Sequence, residues 1–156
     1  MWFECKIRYE KVMEDGLQKK VMETYAVDAL SYSEAEKRII EEMSAYISGE
    51  FEVYSITKAP YKEVFFDEPG DGEAAADRWY RAKLDFITID KKTEKEKRSR
   101  VTYLVQAGNL KGAMKGIEEV MGGTMIDYDT AAISDSKLID VFEYTKSDKP
   151  ETEEEM

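Results

Sequence analysis

"DRWYRAKLDF" (residues 77–86) lies in the middle of the chain and echoes "MWFECKIRY" (residues 1–9). Each has a Trp, an aromatic neighbour, and a polar/apolar alternation carrying Lys four residues after the Trp. Outward from these stretches the match persists at an offset of 77 or 78 residues. Trp2 and Phe3 meet Trp79 and Tyr80; Lys6 meets Lys83. Tyr25, Val27 and Ala29 meet Tyr103, Val105 and Ala107, and "RIIEEM" (38–43) meets "KGIEEVM" (115–121). Ile56 meets Ile133, and Phe65 meets Phe142. Ordered matches at near-constant spacing are the mark of a repeated supersecondary unit.

Each unit has the same pattern. Phe3, Cys5, Ile7 and Tyr9 alternate with Trp2, Glu4, Lys6 and Arg8, the period of a half-buried strand. A turn at "EDG" (14–16) leads to a second strand over 19–30. Ser31 or Ser33, each with Glu three residues on, caps a helix. Ala35, Ile39, Met43, Tyr46 and Ile47 form its apolar stripe, and Gly49 ends it. A third strand covers 51–58, and Pro60 precedes a strand-like "YKEVFF". The second unit reads as strands over 79–89 and 100–107, then a helix from Asn109 to Met121. The Gly122 and Gly123 stop, a strand over 125–133 and "LIDVFEY" follow.

The expected fold is therefore α+β: two tandem ββαβ(β) repeats with antiparallel sheets and one helix per repeat on a face. A pseudo-two-fold relation between the repeats is expected. The boundaries read as a first repeat over 1–66, an acidic linker over 67–78, a second repeat over 79–145 and a disordered acidic tail over 146–156.

Composition narrows the function. At 156 residues the chain can bury a real core. It has no apolar run of the ~20 residues that span a bilayer and no secretory signal pattern, so no membrane role is expected. Cys5 is the single cysteine, which excludes an internal disulfide and fits a reducing cytoplasm. Histidine is absent, which removes His-based acid/base work, Ser-His and Cys-His pairs and the usual zinc sites. The reading is a non-enzyme with no cofactor and no metal. Asp127 and Asp129 share a strand face, but two carboxylates make a poor cation site and read as surface residues.

The net charge of −11 is uneven: −4 over 1–66, −4 over 67–78, neutral over 79–145 and −3 over 146–156. The neutral half holds a basic spot, "KKTEKEKRSR" (91–100), with six cations against two acids. Trp2, Lys6 and Arg8 point one way on the first strand, and Trp79, Arg81 and Lys83 do so in the second unit. Bases stack on aromatic rings while phosphates meet cations, so this pattern suits single-stranded nucleic acid. Lys91, Lys92, Lys95, Lys97, Arg98 and Arg100 extend the patch, and the acidic tail would compete for it. The competing reading is structural: each Trp packs inside the protein, and the Lys/Glu-rich hairpin tip is a solvated turn. The overall charge has the wrong sign for simple nucleic-acid binding.

"WFECKIRYEK", "YAVDALSYSEAEKRIIEEM", "DRWYRAKLDFITID" and "VFEY" together resemble the family catalogued as domain of unknown function 4494. The resemblance spans about residues 2 to 144. It implies no activity or site residue; it implies an intracellular setting in gut Bacteroidota, their phages or mobile elements. The primary expectation is a cytoplasmic, non-catalytic accessory protein acting through protein–protein contacts, with a homodimer compatible with it. The alternatives are the single-stranded nucleic-acid binder, an acidic decoy that imitates phosphates, and a small-molecule sponge.

Overall fold

The computed structural model describes residues 1–67 and 76–143. Along them run β1 (Trp2–Val12), β2 (Gln18–Asp28), α1 (Tyr32–Tyr46), β3 (Phe51–Ala59) and β4 (Tyr61–Phe65). Then come β5 (Arg78–Ile89), β6 (Glu96–Ala107), α2 (Leu110–Gly122), β7 (Asp127–Asp135) and β8 (Asp140–Phe142). The fold is α+β: two four-stranded sheets, each with one helix against a face.

The first unit comprises Met1–Ala59 and the chain from Leu138, with strand order β3-β1-β2-β8. β1 pairs antiparallel with both β2 and β3, so its alternation is read on both sides. Phe3, Cys5 and Ile7 face the helix with Tyr25 and Val27 of β2, and Ala35, Ile39 and Met43 of α1 close the core over them. Ser31 is the cap, its Oγ accepting from the Glu34 amide at 3.2 Å. The helix ends at Tyr46, short of Gly49, and the Ile47 amide bonds back to the Met43 carbonyl. Tyr46 is 73% exposed, so the expected stripe loses that member while Ile47 keeps its packing.

The second unit is Pro60–Lys137, with order β4-β6-β5-β7. β5 pairs antiparallel with β6 and β7. Ala82, Leu84, Tyr103 and Val105 pack under Ile117 and Met121, while Tyr80 and Ala107 meet Ala113. Asn109 caps α2 through Oδ1, which accepts from the Gly112 amide at 2.7 Å. Gly116 lets the helix lie close to the sheet: a Cβ there would stand 3.3 Å from Val105 Cγ1. The register shift between Lys83 and Leu84 has its counterpart between Lys6 and Ile7, so both sheets bend at the matching point.

The last strands depart from the expected boundaries. β4, read with residues 1–66, pairs in parallel with β6. β8, read with residues 79–145, pairs in parallel with β2. Connection length explains the first. Only Pro60 stands between Ala59 and Tyr61, and the shortest ordinary hairpin needs two loop residues, so β4 cannot fold back on β3. For β8, the Ser136 amide and hydroxyl both donate to the Trp79 carbonyl, at 2.9 and 2.7 Å. Lys137 then turns at φ 63°, and the Ile139 amide donates to the Thr24 carbonyl at 2.9 Å. A second consequence follows for the acidic linker: it joins β4 to β5, two strands of one sheet. Most of that linker and the acidic tail lie outside the described residues.

Candidate functional site

The face of each sheet turned away from its helix carries Lys6, Arg8, Arg81, Lys83, Arg98 and Arg100 of the cations singled out in the sequence. On β1, Trp2 is part-buried while Lys6 and Arg8 are exposed. Arg8 is engaged: Nη2 donates to Glu52 at 2.8 Å, and the guanidinium lies 5.1 Å from the centre of the Tyr54 ring. A solvent-open depression of about 720 Å³ near them is lined by Arg8, Gln18, Lys20, Glu50 and Glu52 among others. Its arginine is therefore paired with one of its own acids.

On β5, Trp79 is only 2% exposed, with the Phe66 ring edge-on at 5.1 Å. That corrects the stacking face: a ring so placed cannot receive a base. Burial wins because the indole is the largest apolar side chain and gains most from leaving water. Arg81 Nε donates to the Tyr61 hydroxyl at 2.9 Å, and Lys83 is exposed.

The basic spot divides into two groups. Arg100 holds Asp85 through two bonds, Nε to Oδ1 at 2.8 Å and Nη2 to Oδ2 at 3.2 Å. Arg98 reaches Asp129 at 2.8 Å and Glu96 at 3.3 Å. The hydrogen bonds from Arg100 hold the Asp85 carboxyl below its ordinary range, against the opposing pull of desolvation. These pairs tie β5, β6 and β7 together and neutralise the guanidinium charge. Asp129, weighed as a cation ligand, serves Arg98; no group of three or more metal-ligating side chains occurs among the described residues. Lys91, Lys92, Lys95 and Lys97 are exposed and have no ion pair among the described residues.

Backbone rather than side chains supplies the other candidate. β8 covers β2 only at residues 25–27, and β4 covers β6 only from Thr102 to Val105. Below those points residues 18–23 of β2 and 96–101 of β6 have no strand on their outer side among the described residues. Thr24 turns its carbonyl outward to Ile139, so the even-numbered positions Gln18, Lys20 and Met22 also face out. The Asp90 amide donates to the Lys95 carbonyl in the β5–β6 hairpin, which turns Lys95 inward, so Glu96, Arg98 and Arg100 face out. Sequence reasoning missed both edges because it kept "YKEVFF" and "LIDVFEY" in their own repeats; the one-residue connection at Pro60 was the available signal.

The model for "Domain of unknown function (DUF4494)" matches residues 1–144. The chain belongs to that family. The family match therefore covers both sheets and both helices, open edges included. No curated protein and no solved structure matches the chain. No helix among the described residues is long and apolar enough to cross a membrane.

Proposed function

We propose that this protein is a non-catalytic binding protein that engages a protein partner by accepting an added strand at the open outer edges of β2 and β6. One observation carries the reading: these two edges already take short parallel strands from distant parts of the chain, and among the described residues each continues unpaired beyond the strand it holds. An unpaired edge presents a row of amides and carbonyls, the template that strand-addition domains use. The outer strands β3 and β7 are also edges, but each sits across a register shift, and such bulges discourage pairing. Catalysis has little to draw on. The only thiol, Cys5, is fully buried, and desolvation pushes it up to about 12, so it is no nucleophile at neutral pH. A cytoplasmic setting in a phage or mobile element fits a lone buried thiol and the family resemblance.

The test is selection of extended peptides from a random library on the intact protein, followed by amide hydrogen exchange. Bound peptides are expected to slow exchange at Gln18, Lys20 and Met22, or at Glu96, Arg98 and Arg100. Binders that protect only helix or loop amides would defeat the strand-addition reading. Four unpaired lysines keep a second reading in view, that of a single-stranded nucleic-acid binder. Against it stand the buried Trp79 and the net charge of −11, so single-stranded DNA is expected to leave Trp79 emission unchanged.

A further inference from the structure

The two open edges are chemically different, and the difference names a ligand. We propose that the β6 edge takes an extended acidic segment of a partner protein, in the row that β4 begins. This rests on the strand-addition reading and adds the charge of the occupant to it.

A strand laid against residues 96–101 would sit ~4.8 Å from β6 and send alternate side chains to opposite faces of the sheet. On the face away from α2 those side chains meet Arg98 and Arg100. Their paired nitrogens serve Asp85, Asp129 and Glu96, yet the side chains are still 46% and 57% exposed. Arg100 Nη1 and Arg98 Nη2 make no hydrogen bond among the described residues, so each arginine can accept a second carboxylate without surrendering the first. On the other face the incoming side chains pass Lys97, and at the hairpin tip they pass Lys95, Lys92 and Lys91. Carboxylates on either face thus find a cation.

A nucleic acid fits this edge less well. Phosphodiesters cannot supply alternating donors and acceptors to a strand edge, and Trp79, the ring proposed for stacking in this unit, is buried. The rest of the chain favours selectivity as well. With a net charge of −11, the protein as a whole disfavours acidic segments, so binding one depends on a local cluster of cations. The β2 edge offers Lys19 and Lys20 but also exposes Met22 at 47%, with Val12 and Leu17 beyond it at the tip, so it suits a more apolar segment.

The experiment uses the full chain and a fluorescein-labelled peptide of alternating Glu and Val, read by anisotropy at low salt. A Lys/Val peptide and an oligo-dT of similar length are the controls. Binding of the acidic peptide alone, with slowed exchange at Glu96, Arg98 and Arg100, supports the proposal. Replacing Lys91, Lys92, Lys95 and Lys97 together by Gln is expected to weaken binding about tenfold or more. These side chains are exposed, so the variant should fold. Methylating alternate backbone nitrogens of the peptide should abolish binding, since an added strand needs those donors. Undiminished binding of the methylated peptide would reduce the effect to charge adhesion and overturn the proposal. Equal or tighter binding of oligo-dT would also overturn it. A third overturning result is protection of the same amides in the unliganded protein that vanishes on cutting after Tyr144, because the occupant would then be the chain's own tail. If the acidic peptide fails while neutral selected peptides protect these amides, the edge reading survives and only the acidity falls. If no peptide protects them, both fall.

Discussion

Both units place a tyrosine at the same spot beneath the helix, but they surround it differently. In the first, Tyr25 and Tyr9 both donate to Glu23 Oε1, at 3.0 and 2.7 Å, and Lys11 approaches the other carboxylate oxygen at 3.7 Å. In the second, the pairing register puts Val101 where Glu23 stands and Phe86 where Tyr9 stands, around Tyr103. A third ring completes each corner: Phe142 of β8 stacks on Tyr25 at 5.8 Å, and Phe65 of β4 meets Tyr103 edge-on at 5.2 Å. One architecture thus tolerates a hydrogen-bonded carboxylate or an apolar residue at one position. What both corners share is dependence on an aromatic delivered by a strand from far along the sequence.

Removing that strand is the harshest way to break the comparison. Cutting the chain after Lys137 strips Val141 and Phe142 from the first unit and leaves β4 on the second. Burial of each such side chain is worth about 1.5–3 kcal/mol, so the first unit should lose about 3–6 kcal/mol, a large share of a typical domain's stability. Cys5 is the reporter, being buried in the first core and held up at about 12. Its labelling by a thiol reagent at mild pH should be slow in the full chain and fast after the cut. With Trp2→Phe in both chains, emission from Trp79 in the second unit should change little. An unreactive Cys5 after the cut would show that β8 is dispensable.

The Glu23 corner is the next test. Glu23→Ala leaves two phenols without their acceptor, at an expected cost of about 1–3 kcal/mol. Pairing Glu23→Val with Tyr9→Phe copies the second unit and should recover most of the loss, because matched apolar replacement of a polar cluster is often neutral. Denaturant melts followed through Cys5 would report both. The same corner sets an alkaline limit. Desolvation and the bond to Glu23 push Tyr9 up to about 12 from 10.0, and burial pushes Tyr25 up further. A raised phenol stabilises fully below its unfolded value. The first unit should therefore hold its stability up to about pH 10 and lose it as the pH climbs towards 12. In the apolar double variant Tyr9 no longer titrates, so the alkaline loss should shrink.

Much of this was legible in the sequence, and the failures have physical causes. Alternation in β1 and the stripe Ala35, Ile39 and Met43 are local signals, set by periods of two and of about 3.6, so they survive without tertiary knowledge. Asn109 was legible as a cap, and Ser31 as one of two candidates beside Ser33, because capping is decided within four residues. Strand partnership is a long-range choice, and nothing within "YKEVFF" or "LIDVFEY" says which sheet will take it. The burial of Trp79 and the pairing of Arg98 and Arg100 with Asp129 and Asp85 hinge on neighbours 13 to 31 residues away. Composition could count those charges but not assign them.

The two hairpin tips offer the gentlest comparison. Both tips place a residue in the left-handed region, Gly16 at φ 83° in the first and Glu94 at φ 58° in the second. Glycine takes that conformation freely, whereas a side chain's Cβ crowds the following carbonyl at a cost of about 1 kcal/mol. Glu94→Gly should therefore stabilise the second unit by up to about 1 kcal/mol, offset in part by the extra freedom of the unfolded chain. Gly16→Ala should destabilise the first by a similar amount; nothing lies within 4 Å of a Cβ there, so the effect would be backbone strain alone. Glu94 also bears one of the few acids at the lysine-rich tip, so its removal should tighten acidic-peptide binding. Glu94→Ala separates the contributions: it removes the carboxylate and keeps the strained φ, so it should share the tighter binding without the gain in stability. Equal stability of the Gly and Ala variants would mean that the second tip relaxes out of the left-handed conformation at no cost.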